Sequence, residues 1–304
     1  MSRTLKGILL AGTTGLCWGL TTLATKLIGG AGVAVSTAVF ARMVVVVAAL
    51  GPWLRLRHPE QLKVSRRDFA RIFLFSLLGP SGLYLGFMLS VVYLSAPTAL
   101  VLHYTYPILT ALCSPLITGE RPSRRDFAGA CLVTAGVTCS VLTPEWTLNT
   151  QIDVRGLLWG AVAVVGLAGQ TLLVRATVTR GGIGRWGFFY YTHLGGMFWI
   201  GLYITLTGQW GEFARITPYI AALVLVPTLT GCLLGYSLYY KSLEYVPASV
   251  SSLMASLEIL SGTALTALAT NVAPTAPEIV GCVCIFAAIA LVSLSRLEKV
   301  PLRS

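Results

Sequence analysis

The sequence predicts an all-α integral membrane protein with ten transmembrane helices in two inverted five-helix repeats. The repeats cover residues 1–150 and 151–304 and form one membrane domain. Three observations carry this prediction: an extreme apolar composition, ten apolar runs of spanning length, and a second half that repeats the first. The chain is 55% hydrophobic and only 11% charged, with mean hydropathy +0.78. Soluble domains carry about 25% charged residues, and a water-soluble fold could not hide this much apolar surface. A bilayer solvates it.

A span needs about 20 mostly apolar residues to cover a ~30 Å hydrocarbon core. Ten runs qualify: 7–28, 36–54, 69–94, 96–117, 125–143, 155–176, 186–207, 217–241, 247–269 and 276–295. The first follows Arg3 and Lys6, as a cleaved signal peptide would. However, Lys6, Gly7, Leu9 and Thr22 match Arg155, Gly156, Leu158 and Thr171 in the sixth run at an offset of 149. A discarded segment needs no structural twin, so this run is expected to stay as a helix. From the third run onward the offset is 152. Gly79, Tyr84, Ser90, Tyr93 and Ala96 reappear as Gly231, Tyr236, Ser242, Tyr245 and Ala248. Leu116, Thr118, Pro122 and Gly129 reappear as Leu268, Thr270, Pro274 and Gly281.

Charge placement orients the runs. The net charge of +11 comes from cations grouped in short loops, which is topology signalling; no RNA- or DNA-reading module is visible. Eighteen Lys and Arg residues fall on one side: in 3–6, 55–71, 121–125, 175–185, at Lys241 and in 296–303. Only Lys26, Arg155 and Arg215 fall on the other, and Arg42 lies inside a span. Both termini are therefore expected in the cytoplasm, in a multi-pass protein of the inner or plasma membrane. Five helices per repeat is an odd number, so the second repeat enters from the opposite side. Duplicated, inverted halves usually enclose a substrate site at the bilayer midplane, which makes a transporter the leading expectation. The seven cysteines show neither metal spacing nor a disulfide framework and read as small core residues; no cofactor is expected.

Several motifs resemble the ten-helix EamA-type branch of the drug/metabolite transporter superfamily. They are Trp18-Gly19, Ala41-Arg42-Met43, and Tyr104 to Leu112 followed by Gly119-Glu120-Arg121 and Gly129. Ser256-Leu257-Glu258 adds to them, with Ile259 where the family pattern has proline. A second Gly-Glu turn is missing, and Asn271-Val272 stands in its place. The resemblance implies the fold and a secondary transporter. It leaves the substrate open, since such proteins handle amino acids, nucleotide precursors, sugars, choline-like cations and drugs; export of an amino acid or related metabolite is the direction it favours.

Glu258 is the costliest residue to place. It lies 11 positions past Pro247, about 16 Å along a helix, where an acid costs at least ~2.5 kcal/mol. It reads as a partner for a substrate cation, a proton carrier, or a structural carboxyl gluing helices. Arg42 lies about six residues, ~9 Å, from the outer end of its span. It is a candidate for binding a carboxylate, pairing with Glu258, or snorkelling to the interface, and a gating or structural role is favoured. His103 and His193 are isolated intramembrane histidines, either proton relays or hydrogen-bonding core residues. Tyr84 and its counterpart Tyr236 flank Gly79-Pro80-Ser81-Gly82 and Thr230-Gly231, which can kink helices and open a cavity. Tyr104, Tyr106, Tyr239, Tyr240 and Trp18 offer ring faces for a cation or aromatic group, against a plain packing role. Trp53, Trp146, Trp186 and Trp210 sit near span ends as belt residues. Gly12, Gly15 and Gly19, with Gly160, Gly166 and Gly169, allow close helix approach.

The expected function is thus a secondary carrier for a small polar metabolite, with an organic-cation or drug exporter using Glu258 as counter-charge as the alternative. Proton coupling is left open, and the assembly is expected to be a monomer or weak dimer in the lipid bilayer. An intramembrane enzyme would need a motif such as H-E-x-x-H or paired catalytic partners. A channel would not call for an ionisable residue at a duplicated interface.

Overall fold

The computed structural model describes residues 2–30, 33–94, 96–147, 153–271 and 273–297, apart from the side chains of 21–30, 96, 97, 270 and 297. Val272, Lys299 and Arg303 lie outside the described residues, as does the side chain of Lys26. The described residues are predominantly helical, without strands, and their long helices group into ten rods. These are α1 (Arg3–Gly30), α2 (Val35–Arg57), α3 (Arg66–Tyr93), α4 (Ala96–His103 continued by Tyr106–Ile117), α5 (Arg124–Ser140), α6 (Val154–Arg180), α7 (Arg185–Leu206), α8 (Pro218–Ser242), α9 (Ala248–Ala255 continued by Leu257–Thr270) and α10 (Ala276–Leu297). Seven of them, α2, α3, α4, α6, α8, α9 and α10, are long and apolar enough to cross a membrane. α5 is shorter, at 17 residues, and α7 carries Thr192, His193, Gly195 and Gly196 in its middle.

Polar caps mark where rods start. The Ser65 hydroxyl accepts from Asp68 N–H at the head of α3 (3.0 Å). Ser123 and Asp126 form a reciprocal capping box on α5, and Thr217 with Pro218 opens α8. Such caps satisfy backbone donors that helix geometry leaves free. Between α4 and α5 the chain reverses at Gly119, whose φ of +77° suits glycine.

Packing partners exchange between the halves. α3 packs on α6 and α8 on α1; α4 packs on α6 and α9 on α1; α5 pairs with α10, and α2 with α7. The closest approaches use glycine. A Cβ added to Gly136 on α5 would lie 2.8 Å from the Gly281 carbonyl on α10, and Gly129 on α5 faces Leu253 and Val292. Gly12, Gly15 and Gly19 form a face of α1 against Leu257, Glu258, Ser261 and Gly262 of α9. Gly160 meets Leu102 of α4, and Gly169 meets Phe75 of α3. Outward-facing side chains such as Leu116, Leu158 and Phe286 are exposed apolar groups, as lipid contact requires.

Loop contacts gather six chain segments at one end. Lys6 at the start of α1 lies over the Tyr245 ring between α8 and α9 (5.0 Å). Gln61, after α2, accepts from the Trp186 N–H at the head of α7 (3.1 Å). Glu120, after α4, pairs with Arg175 near the end of α6. Arg185 pairs with Glu244, and Arg296 of α10 with Asp126 of α5. At the opposite end, Arg155 lies over the Tyr93 ring (4.4 Å), and Ser36 donates to Gln209 (2.5 Å). The Lys6–Tyr245 and Arg155–Tyr93 contacts join equivalent positions of the two halves at opposite ends.

Candidate functional site

Four rods are interrupted at matching places. α3 widens to a π-type turn over Leu77–Ser81 and α8 over Thr228–Gly235. α4 breaks between His103 and Tyr106, and α9 between Ala255 and Leu257. At the 152-residue offset these positions coincide. Proline explains three of the interruptions, since it lacks a donor and crowds the carbonyl four residues back. Pro80 follows Gly79, which leaves helical geometry at ψ −111°. Pro107 starts the second part of α4, and Pro227 precedes the wide turn of α8. α9 has no proline there. Its break is a tighter turn in which the N–H groups of Ser256 and Ile259 reach three residues back, to Leu253 and Ser256. Wide turns and broken helices free backbone groups, and those carbonyls find partners here. Trp18 Nε1 donates to the Gly231 carbonyl (3.0 Å), Thr14 to Gly235 (3.2 Å) and Thr134 to Tyr104 (3.1 Å).

The sequence-predicted residues converge on these interruptions. Tyr84 of α3 and Tyr236 of α8 are neighbours. Arg42 of α2 lies over the Tyr84 ring at 5.7 Å. The Tyr84 hydroxyl is 3.8 Å from Cys232 Sγ, which lies 3.7 Å from His193 Nε2 of α7. His193 is fixed through Nδ1 on the Phe189 carbonyl (2.9 Å). Trp18 of α1 packs on Tyr236 (4.9 Å) and Tyr239 (5.2 Å) between ring centroids. Tyr239 shares a 3.0 Å hydrogen bond with Thr171, and Gln170 donates to Tyr240.

Glu258 sits in the first turn after the α9 break. It neighbours Tyr104, Tyr106 and Tyr236. Tyr106 donates to the Ser252 carbonyl (2.8 Å). His103 packs against Phe87, Tyr104 and Tyr106. Tyr104 and Tyr106 belong to one apolar core cluster, and Trp18, Tyr236, Tyr239 and Tyr240 to another; Glu258 and Tyr84 bridge the two. All ten predicted positions, Arg42 and His193 included, thus lie within one region of the interior.

Four polar atoms around this centre are buried without a hydrogen-bond partner: Arg42 Nε, His103 Nδ1, Gln170 Oε1 and Ser256 Oγ. Buried polar groups are seldom left unpaired, because each costs about 1–3 kcal/mol. They lie on the same interior elements as the rings and the Glu258 carboxylate. Two crevices of ≈ 400 Å³ lie elsewhere. One opens on the outer face of α9 and α10 by Leu260, Ile279 and Phe286; the other lies at Trp53, Arg57 and His58.

Sequence reasoning missed Gln170, Cys232 and the pairing of Glu120 with Arg175. An amide in the middle of an apolar span was a readable signal for Gln170. Nothing local distinguished Cys232 from the other cysteines. Glu120 was recognised only as part of a turn and Arg175 only as a topology cation. In the fold, Arg175 Nε donates to Glu120 at 2.8 Å and its guanidinium also reaches the Leu243 carbonyl. The Ala248 N–H donates to the same carboxylate (3.4 Å).

An all-helical bundle with spanning segments and an interior polar centre defines a membrane transporter. The EamA-like transporter family model matches over residues 5–142 and again over 154–294, and the chain belongs to that family. A curated relative, an uncharacterized inner membrane transporter of Salmonella typhimurium called YicL, is 22% identical over 238 residues, covering 76% of this chain and 75% of that protein. A solved crystal structure of a protein 19% identical in sequence superposes with a TM-score of 0.74, covering 96% of this chain and 99% of the other. That likeness shows a shared fold.

Proposed function

We propose that this transporter is a secondary carrier exporting a small polar metabolite, an amino acid or a close relative, across the inner membrane. Ten helices in two inverted five-helix repeats, residues 1–150 and 151–304, rock about a midplane site. Exchange of packing partners between the halves and the double family match support the inverted duplication.

One observation carries the substrate reading. Arg42 and Glu258 stand on either side of the Tyr84–Tyr236 pair, with buried unpaired polar atoms around them. In this reading Arg42 receives a carboxylate, Glu258 an ammonium group, and the rings of Trp18, Tyr106 and Tyr239 the remainder. Tyr104 stands beside Glu258, and His103 backs Tyr104 and Tyr106. His193 holds Cys232 near Tyr84, and Arg42 also gates. Glu258 is in addition the natural carrier for a coupling proton.

The second reading, an organic-cation exporter, is favoured by the aromatic groups around Glu258, since ring faces attract cations. Proteoliposome transport by Glu258→Gln and Arg42→Gln decides between them. The amino-acid reading expects both variants to lose saturable uptake of a zwitterion. Loss of cation transport in Glu258→Gln alone, with Arg42→Gln unaffected, selects the second reading. Flux that never saturates would sink both.

A further inference from the structure

The cations at the ion-paired end include two contrasting groups. Arg175, Arg185, Lys241 and Arg296 are engaged by Glu120, Glu244 and Asp126. Arg55, Arg57, Lys63, Arg66 and Arg67, on the segment joining α2 to α3, are exposed and make no ion pair among the described residues. The acids of that segment are occupied locally. Glu60 accepts from His58 (3.2 Å), and Asp68 is held by Ser65 and Arg71.

The same segment is built like an interfacial anchor. Trp53 packs on His58 and on Trp186 (5.0 and 5.2 Å between ring centroids). With Arg57 and His58, Trp53 lines a crevice of ≈ 400 Å³. Leu56, 81% exposed, projects among the arginines. Gln61 and the Leu62 carbonyl dock the segment on α7 through Trp186 and Tyr191, so the crevice is held by tertiary contacts.

We propose that the crevice at Trp53, Arg57 and His58 binds the phosphate head group of an anionic phospholipid of the surrounding bilayer. Arg55, Lys63, Arg66 and Arg67 supply the surrounding positive field. The indole of Trp53 sits at head-group depth, where tryptophan is favoured. Leu56 enters the acyl boundary beside it. Unpaired juxtamembrane cations attract anionic lipid strongly, each adding to the affinity. Cations already held in ion pairs do not.

The test uses the full-length protein in detergent micelles. Thermal stability is measured while a short-chain phosphatidylglycerol, a phosphatidylcholine or inorganic phosphate is added. Phosphatidylglycerol is expected to stabilise at roughly tenfold lower concentration than phosphatidylcholine. The variant R55Q/R57Q/R66Q/R67Q should lose that preference, and R121Q/R124Q should keep it. If the fourfold variant does not fold, a photoactivatable phosphatidylglycerol on wild-type protein replaces it and should label residues 53–67. Equal response to both lipids, equal loss in R121Q/R124Q, the same stabilisation by inorganic phosphate, or label spread over every basic loop would overturn the proposal.

Discussion

Tyr84 and Tyr236 are neighbours in the interior, and the two residues hold the same position in the two halves of the chain. In a two-fold arrangement a residue touches its own equivalent only on the axis. Tyr106 and Glu258 are a second equivalent pair and are also neighbours. On the proposed arrangement the axis therefore runs through the candidate site. There the halves differ in chemistry, with a phenol in one facing a carboxylate in the other.

Removing either axial hydroxyl should cost little stability and much function. Tyr84→Phe removes the hydroxyl that faces Cys232 Sγ at 3.8 Å, and Tyr236→Phe removes a neighbouring one; each should cost about 1 kcal/mol net or less. The double variant should depart from the sum, because neighbouring side chains couple. Thermal melts of the four proteins in micelles form the cycle. Strict additivity would mean that the two hydroxyls are not coupled.

The Glu120–Arg175 pair ties the α4–α5 turn to α6, and through Leu243 and Ala248 to the ends of α8 and α9. Both side chains are largely shielded, at 13% and 22% exposure. Breaking the pair leaves a half-buried charge, so Glu120→Gln should destabilise by about 2 kcal/mol. It should also raise the accessibility of this end to water-soluble probes, because one bond closes four elements. Cysteine substitution at Ser249, 3% exposed, reports it: maleimide labelling should be faster in Glu120→Gln. Unchanged labelling would make the pair purely structural.

Glycine contacts between α5 and α10 are a third point of leverage. A side chain at Gly136 or Gly281 collides with the facing backbone, and overpacking of this kind costs about 1–3 kcal/mol. Gly136→Leu and Gly281→Leu should each lower the melting temperature by several degrees. Gly211→Leu, on a loop with open space around it, should not. Equal melting temperatures for all three would show that the helices part readily.

Most of this architecture was legible because its signals are long and repeated. Apolar runs located the helices, and the 152-residue offset paired Tyr84 with Tyr236 before any contact was known. The interruptions of α3 at Gly79-Pro80 and of α8 at Thr230-Gly231 were legible, because glycine and proline kink a helix locally; the α4 break before Pro107 was not singled out. The α9 break was not, since Ile259 gives no such sign and the turn is set by packing against Gly15 of α1. Cys232 was equally silent. Its role depends on which helix faces it, and side-chain type alone does not record that. Glu120 and Arg175 are 55 residues apart, so their pairing is a property of the folded bundle.

The last prediction concerns sidedness. Six loops and termini share the end that carries nearly all of the cations, and the loops with Arg155 and Arg215 form the other end. Translocating a loop rich in Lys and Arg is disfavoured, so the cationic end should face the cytoplasm. Single cysteines at Arg124 and at Gly211, in a background with the seven native cysteines replaced, place one reporter on each end. In intact cells a membrane-impermeant maleimide should label the Gly211 position and spare Arg124; permeabilisation should expose Arg124. Reversed labelling would invert the topology and turn the Glu120–Arg175 closure into an outer gate. Labelling of both in intact cells would break the odd-numbered repeat, because the two sites are separated by three rods (α5, α6 and α7) and must lie on opposite faces if each rod crosses once.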